Sequence, residues 1–213
     1  MRVFIAGATG RVGQQLIKEL VSKGHSVVSG VRNLEKATKI DEVESIFFDL
    51  YQDVNQLAEV IKGCDAVYFT AGSRGKDLLQ TDAFGAVKLM QASEKVGISR
   101  FILLSSIFAT EPEKWSDPNL VNITDYNIAK FFADNYLIYQ TNLEYTIVQP
   151  GNLVEADSGS GKICINVTKS ASNTIPNVAK VLSECLEEVA TYNKVIQMSD
   201  GDTLISEALK NVS

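Results

Sequence analysis

The feature that most constrains this chain is a glycine-spaced turn directly behind its first apolar run. Val3 to Ala6 is apolar throughout and leads into Gly7-Ala8-Thr9-Gly10-Arg11-Val12-Gly13, a Gly-x-x-Gly-x-x-Gly spacing. A helical pattern then runs from Gly10 to Lys23. Three residues without a Cβ meet three needs: a tight turn, close approach of an anionic group, and close packing of helix on strand. The helix start adds free N–H groups and the positive end of its dipole. Placed between a first strand and a first helix, the turn predicts a dinucleotide pyrophosphate held over Gly7, Thr9, Gly10, Arg11, Val12 and Gly13.

The rest of the chain repeats the alternation. Strands are expected at Ser26–Val31, Val43–Phe48, Ala66–Thr70, Phe101–Ser105 and Tyr145–Gln149, with helices at Val54–Lys62, Leu78–Val96 and Asn122–Gln140. Strands separated by helices cannot form hairpins, so they imply right-handed crossovers and a parallel sheet covered on both faces. Near-continuous apolar strands agree with burial on both sides. Past Pro150 the pattern loosens. Glu155–Gly161 is a polar loop, Lys162–Val167 a short strand, Pro176–Val189 a helix, Lys194–Met198 an edge strand and Ser206–Lys210 a last helix. The fold expected is a Rossmann-type, doubly wound α/β domain over residues 1–213, with six to seven mostly parallel strands and a small substrate-side region within 151–213.

Composition narrows the partners. At 213 residues one domain is expected. A net charge of -6 argues against nucleic acid and against an anionic bilayer, and points to a small-molecule substrate instead. Cys64, Cys164 and Cys185 show neither a metal spacing nor a disulfide framework, so buried thiols in a reducing compartment are expected, and no metal site. No apolar run reaches the length of a membrane span. Met1-Arg2 leads straight into the first strand with no room for a signal peptide, so a cytoplasmic protein is expected.

The end of the second strand discriminates between cofactors. An acid there would bind the ribose hydroxyls of NAD, but the strand ends Gly30-Val31-Arg32-Asn33. Arg32 can grip a 2′-phosphate, with Arg11 a second candidate and Lys36 a weaker third, which favours NADP(H) over NAD(H).

These residues resemble the atypical short-chain dehydrogenase/reductase family, of the small NAD(P)-binding type grouped with NmrA-like and epimerase-like proteins. The glycine loop, Phe48-Asp49-Leu50, Thr70-Ala71-Gly72-Ser73, Arg100-Phe101 into Ser105-Ser106, Tyr126-Asn-Ile-Ala-Lys130 and Gln149-Pro150-Gly151 carry the resemblance. It implies Asp49 and Leu50 along the adenine, Ala71 and Gly72 at the ribose and pyrophosphate, and Pro150 beside the nicotinamide. Two positions depart from the family pattern: Asp82 stands where the tetrad has asparagine, and Gln149 where relatives usually carry arginine.

Tyr126 and Lys130 share one helix face at a spacing of four. A phenol titrates near ~10, too high for neutral acid–base work, and a nearby ammonium favours its ionised form. Tyr126 is thus read as the acid–base, Lys130 as its tuner and a ligand of the nicotinamide ribose, and Ser106 as the group holding the substrate oxygen, with Ser105 the alternate. Tyr-x-x-x-Lys arises often by accident, so its weight comes from its place between the fifth and sixth strands. The expected activity is hydride transfer between nicotinamide and a small carbonyl-like or quinone-like substrate. The rival is a non-catalytic, NmrA-type redox sensor, and a third reading reduces a flat ring without Tyr126. Nucleotide-sugar epimerisation fits less well, since only about sixty residues follow Pro150. His25 is read as structural, and Trp115 and Phe108 as either pocket walls or loop anchors. Arg74 and Lys76, after the fourth strand, either meet a polar substrate group or are solvated.

Overall fold

A computed structural model describes residues 1–37 and 40–212. Seven strands run parallel: β1 (Arg2–Ala6), β2 (Ser26–Val31), β3 (Val43–Phe47), β4 (Ala66–Phe69), β5 (Arg100–Leu104), β6 (Glu144–Pro150) and, later in the chain, Lys194–Asp200. Helices α1 (Arg11–Ser22), α2 (Val54–Ile61), α3 (Phe84–Val96) and α4 (Thr124–Gln140) make the crossovers. Beyond β6 come β7 (Asn152–Val154), β8 (Lys162–Ile165), β9 (Ser172–Thr174), α5 (Ile175–Cys185), β10 (Lys194–Asp200), β11 (Thr203–Leu204) and α6 (Ile205–Lys210).

The sheet order is β11-β8-β10-β6-β5-β4-β1-β2-β3. From β3 to β6 this is the doubly wound order 3-2-1-4-5-6, whose direction of winding reverses between β1 and β4. The expected fold class therefore holds, but the sheet has nine strands rather than six or seven. The reason lies past Pro150. β10 is no edge strand: it pairs parallel with β6 and antiparallel with β8, which in turn pairs with β11. β8 falls within the strand expected over Lys162–Val167, while β11 spans two residues, too short to show a period. β7 and β9 form a separate two-stranded sheet.

Alternate strand residues feed two cores. Val3 and Ile5 join Leu16, Ile17, Val178 and Leu182 beneath α1 and α5. Phe4 and Ala6 join Leu57, Leu89, Phe101 and Leu137 beneath α2, α3 and α4. The middle strands are buried on both sides, which is why they read as unbroken apolar runs. Arg100, at the start of β5, is buried with its guanidinium donating to Glu144 O at 2.7 Å, Thr146 Oγ1 at 2.8 Å and Cys185 O. It ties the end of α5 to the sheet, far from the carboxyl edge.

Other boundaries shift in instructive ways. The long helix expected over Leu78–Val96 begins as a π-helical stretch, Leu78–Ala83, before α3. That wider turn places Asp82 inward, fully buried. The helix expected over Pro176–Val189 stops at Cys185. Cys64 and Cys185 are buried as expected, but Cys164 is exposed, because alternation along the four-residue β8 turns it outward. Among the described residues, no helix is long and apolar enough to cross a membrane.

Candidate nucleotide site

The carboxyl ends of β1 and β4 part at the switch point, and a cleft of about 680 Å³ opens there. The glycine loop forms its floor. Gly7 adopts φ +88, and a Cβ on it would lie 2.4 Å from Ala71 N, so this glycine serves the turn and the β4 loop at once. A Cβ on Gly13 would lie 2.3 Å from Gly7 O, so this one lets α1 pack on the strand end. Gly10 differs. Its φ is -72, and the nearest atom to an added Cβ is Gly7 O at 3.1 Å. That contact is tight for a Cβ but far short of the overlaps at Gly7 and Gly13, and Gly10 caps α1 without any side-chain hydrogen bond. The helix start is left bare toward the cleft, the arrangement that suits an anion.

Of the residues read from sequence, Gly7, Thr9, Gly10, Arg11, Val12, Arg32, Asp49, Leu50, Ala71, Gly72, Tyr126 and Lys130 all line this cleft. Gly13 acts from behind it. Ser106 and Pro150 are buried and do not line it; Leu153 and Leu104 stand on the wall there instead. Arg32 is exposed and forms no ion pair among the described residues. Arg11 pairs with Glu155 at 3.0 Å, both well exposed, a contact of roughly 0–1 kcal/mol that a phosphate can displace. The Lys36 side chain lies outside the described part of the structure. Arg74 and Lys76 also face the cleft.

Two fixtures at the Asp49–Leu50 end of the cleft were not read from sequence. Lys88, on α3, is buried and donates to Leu50 O and, at 3.0 Å, to Gln52 O, clamping the turn that carries Asp49 and Leu50. Its signal was a single lysine inside the otherwise apolar run Ala86-Val87-Lys88-Leu89-Met90. Tyr51 reaches across the cleft mouth to donate to Asp77 Oδ2 at 2.9 Å, which also receives Thr81 Oγ1 at 2.5 Å.

At the other end α4 brings Tyr126 and Lys130 together. The Lys130 ammonium is 1% exposed, donates to Leu104 O at 3.2 Å, and lies 5.6 Å from the Tyr126 ring centre and 5.5 Å from that of Phe69. The Tyr126 phenol is nonetheless pushed above its ordinary value. Burial dominates, Lys130 pulls downward, and the carboxylates of Asp82 and Asp134 add to the rise. In the protein alone, then, the lowering expected from Lys130 is outweighed. Asp82 accepts from Ser73 N at 3.0 Å and leaves Oδ1 without a partner. Ser106 Oγ donates to Asn127 Oδ1 at 2.8 Å, and Asn127 Nδ2 is unpartnered. Ser105 turns the other way, to Asp134.

The loop behind Ser106 resolves the reading of its aromatics. Trp115 donates from Nε1 to Phe108 O at 2.9 Å and meets Phe131 edge-on at 5.9 Å, which makes it a loop anchor. Phe108, at φ +55, lines a separate cavity of about 270 Å³ with Lys114, Ser116, Asp117 and Thr168.

A doubly wound sheet with a bare, glycine-floored helix start at its switch point defines a dinucleotide-binding Rossmann protein. Residues 7–189 match the NAD(P)H-binding family, and the chain belongs to it, among the atypical short-chain dehydrogenases/reductases. It is 33% identical to an uncharacterized sugar epimerase, YhfK, of Bacillus subtilis (strain 168), over 100% of both chains. Against the crystal structure of the oxidoreductase ylbE from Lactococcus lactis it has 45% identity and a TM-score of 0.95, covering 99% of this chain and 95% of that one. ChuY, an anaerobillin reductase from Escherichia coli O157:H7, shares the fold at TM-score 0.81 and 21% identity, over 95% and 98% of the two chains.

Proposed function

We propose that this protein is an NADP(H)-dependent oxidoreductase that exchanges hydride between nicotinamide and a small carbonyl-like or quinone-like substrate. The observation that carries the reading is Lys130. An ammonium only 1% exposed, yet on the cleft wall and with one carbonyl accepting from it, keeps two N–H donors for something in the cleft. Burying such a charge without a carboxylate beside it is costly, and a ribose hydroxyl together with the Tyr126 phenol gives that cost a purpose.

The dinucleotide would lie with its pyrophosphate on the N–H groups at Gly10–Val12, its adenine along Asp49 and Leu50, and its 2′-phosphate toward Arg32. Bound, it supplies the hydride. Tyr126 gives a proton to the substrate oxygen, and Lys130 holds the phenol's charge as that proton leaves. Ser106 needs one adjustment to hold the same oxygen, because its hydroxyl proton now goes to Asn127. A half-turn of the Asn127 amide would set Nδ2 against Ser106 Oγ and free that proton, and would give Nδ2 the partner it lacks. The region 151–213 would form the substrate side, with Leu153 lining the same cleft as Tyr126 and Thr168 lining the neighbouring cavity with Phe108.

The test is NADPH oxidation against a panel of quinones and aldehydes, with Tyr126→Phe expected to lower the rate ~100-fold or more. A normal rate in the variant removes Tyr126 from the chemistry and favours a flat-ring substrate protonated by solvent. Tight nucleotide binding with no turnover on any substrate favours a redox sensor.

A further inference from the structure

One turn beyond Lys130, α4 buries a second ionisable group that the proposed chemistry does not use. Asp134 is wholly buried, and its Oδ2 accepts from Ser105 Oγ at 2.7 Å and from Gln149 Nε2 at 2.9 Å. Its Oδ1 has no partner, and neither has Oε1 of Gln149, which is fully buried too. No ion pair joins Asp134 to a cation among the described residues; the Lys130 ammonium donates to Leu104 O instead. Two bare acceptor oxygens on side chains already joined by one hydrogen bond are costly beside an ionised carboxylate.

One proton satisfies both oxygens. Carried on Asp134 Oδ1 and donated to Gln149 Oε1, it closes a ring in which the amide N–H meets the acid's carbonyl oxygen and the acid O–H meets the amide's. We propose that Asp134 is kept as a neutral carboxylic acid, paired in this ring with Gln149, and so adds no negative charge beside Lys130 and Tyr126. The ring rests on the hydrogen bond from Gln149 Nε2 and on the two unpartnered buried oxygens; its value to the chemistry rests on the roles of Tyr126 and Lys130 given above.

The surroundings agree. On α4 the ionisable groups near Asp134 are Lys130 and Tyr126. The strand side offers only neutral groups: Ser105 behind β5, Gln149 on β6, and Thr110, whose hydroxyl lies 3.5 Å from Gln149 Nε2. From the π-helical stretch, Asp82 faces Tyr126 and is held by Ser73 N. From α3, Lys88 is spent on Leu50 and Gln52. Burial lifts the Asp134 carboxyl to about 6, while Ser105, Gln149 and Lys130 pull it down. An acid O–H given to Gln149 pushes further upward. Asp134 in its charged form raises the Tyr126 phenol. In its neutral form it leaves Lys130 opposed by burial and Asp82 but not by a second carboxylate, so Asp134 is a positioning and tuning residue.

Asp134→Asn reproduces the ring, with an amide N–H in place of the acid O–H. We expect this variant, as the full chain, to be at least as stable as wild type at about pH 7. The sign follows from linkage. The folded carboxyl titrates above the unfolded one, so wild-type stability is full below about pH 4 and falls as the pH rises toward the folded value. A rise of about two pH units to about 6 is worth about a hundredfold in the unfolding constant, and Asp134→Asn should lack that dependence. Infrared difference spectra of the wild type should show the carbonyl band of a buried protonated carboxyl at about pH 5, lost on raising the pH and absent from the variant. Absence of that band, or an Asn variant tenfold or more less stable at about pH 7, overturns the proposal and makes Asp134 an anion that compensates Lys130, its oxygens satisfied by a buried water. A Tyr126→Phe enzyme with an unchanged rate would instead remove the reading of the chemistry and leave the ring standing.

Discussion

Substituting alanine separately at Gly10 and Gly13 distinguishes a glycine kept for the fold from one kept for a ligand. A Cβ on Gly13 would sit 2.3 Å from Gly7 O and 2.9 Å from Ala8 Cα, both backbone atoms that cannot swing aside. Overpacking of that kind costs about 1–3 kcal/mol, and in a chain of this size each kcal/mol moves Tm by about 2–4 °C, so Gly13→Ala should melt roughly 2–12 °C lower. At Gly10 the added atom meets only Gly7 O at 3.1 Å, and φ is -72, which alanine adopts freely. The penalty is that of alanine as a helix cap, about 1 kcal/mol or up to about 4 °C, together with the shift of a few tenths of an ångström that Gly7 O must make. If a pyrophosphate lies against the bare Cα, the same methyl group must push it off the α1 N–H groups. Losing about 1.4–2.8 kcal/mol of those contacts weakens binding ~10- to 100-fold. Thermal melts of both variants, with fluorescence titration of NADPH, read the two effects apart. Gly10→Ala binding nucleotide as tightly as wild type would refute the placement of the phosphates.

Two further substitutions probe the end of the cleft that carries Arg32 and Asp49. Arg32 is exposed and unpaired among the described residues, so Arg32→Ala should leave Tm unchanged and weaken NADPH by tenfold or more while NADH is little affected. Equal affinities for both nucleotides in wild type would discard this role for Arg32. Lys88→Met removes a buried ammonium from two backbone carbonyls; we expect about 2–3 kcal/mol of lost stability and a lower Tm, together with weaker nucleotide binding as the Asp49–Gln52 turn loosens. Unchanged affinity with lowered Tm would confine Lys88 to the fold.

The sequence was most legible where one residue type answers one local demand. The unbroken apolar strands announced a sheet covered on both faces, and Gly7 and Gly13 announced a turn packed too tightly for side chains. Legibility failed where the deciding neighbour is distant in sequence. β8 was legible as a strand, but its pairing with β10 was not, and β11, two residues long, acquires meaning only from pairing with β8, about forty residues earlier in the chain. The same holds in the site. Tyr126 and Lys130 are legible from their spacing, but their electrostatics depend on Asp82, brought in by a π-helical turn, and on Asp134, whose state depends on Gln149 of another strand.

That dependence gives the departures from the family pattern a physical meaning. A charge added or removed at position 82 or 149 would act on Tyr126 through buried protein, where screening by salt is weak. At 149, the residue present is neutral, able to donate to Asp134 Oδ2 and, on the reading above, to accept its proton. At 82, an acid stands with one oxygen on Ser73 N and the other bare. The two positions thus act differently on one phenol: Asp82 opposes its ionisation, and Gln149, by the proposed ring, would keep Asp134 from adding to that opposition. The balance places the burden of lowering the phenol on Lys130 and on whatever positive charge a ligand brings, so on the proposed reading proton transfer at Tyr126 would depend on the occupied cleft.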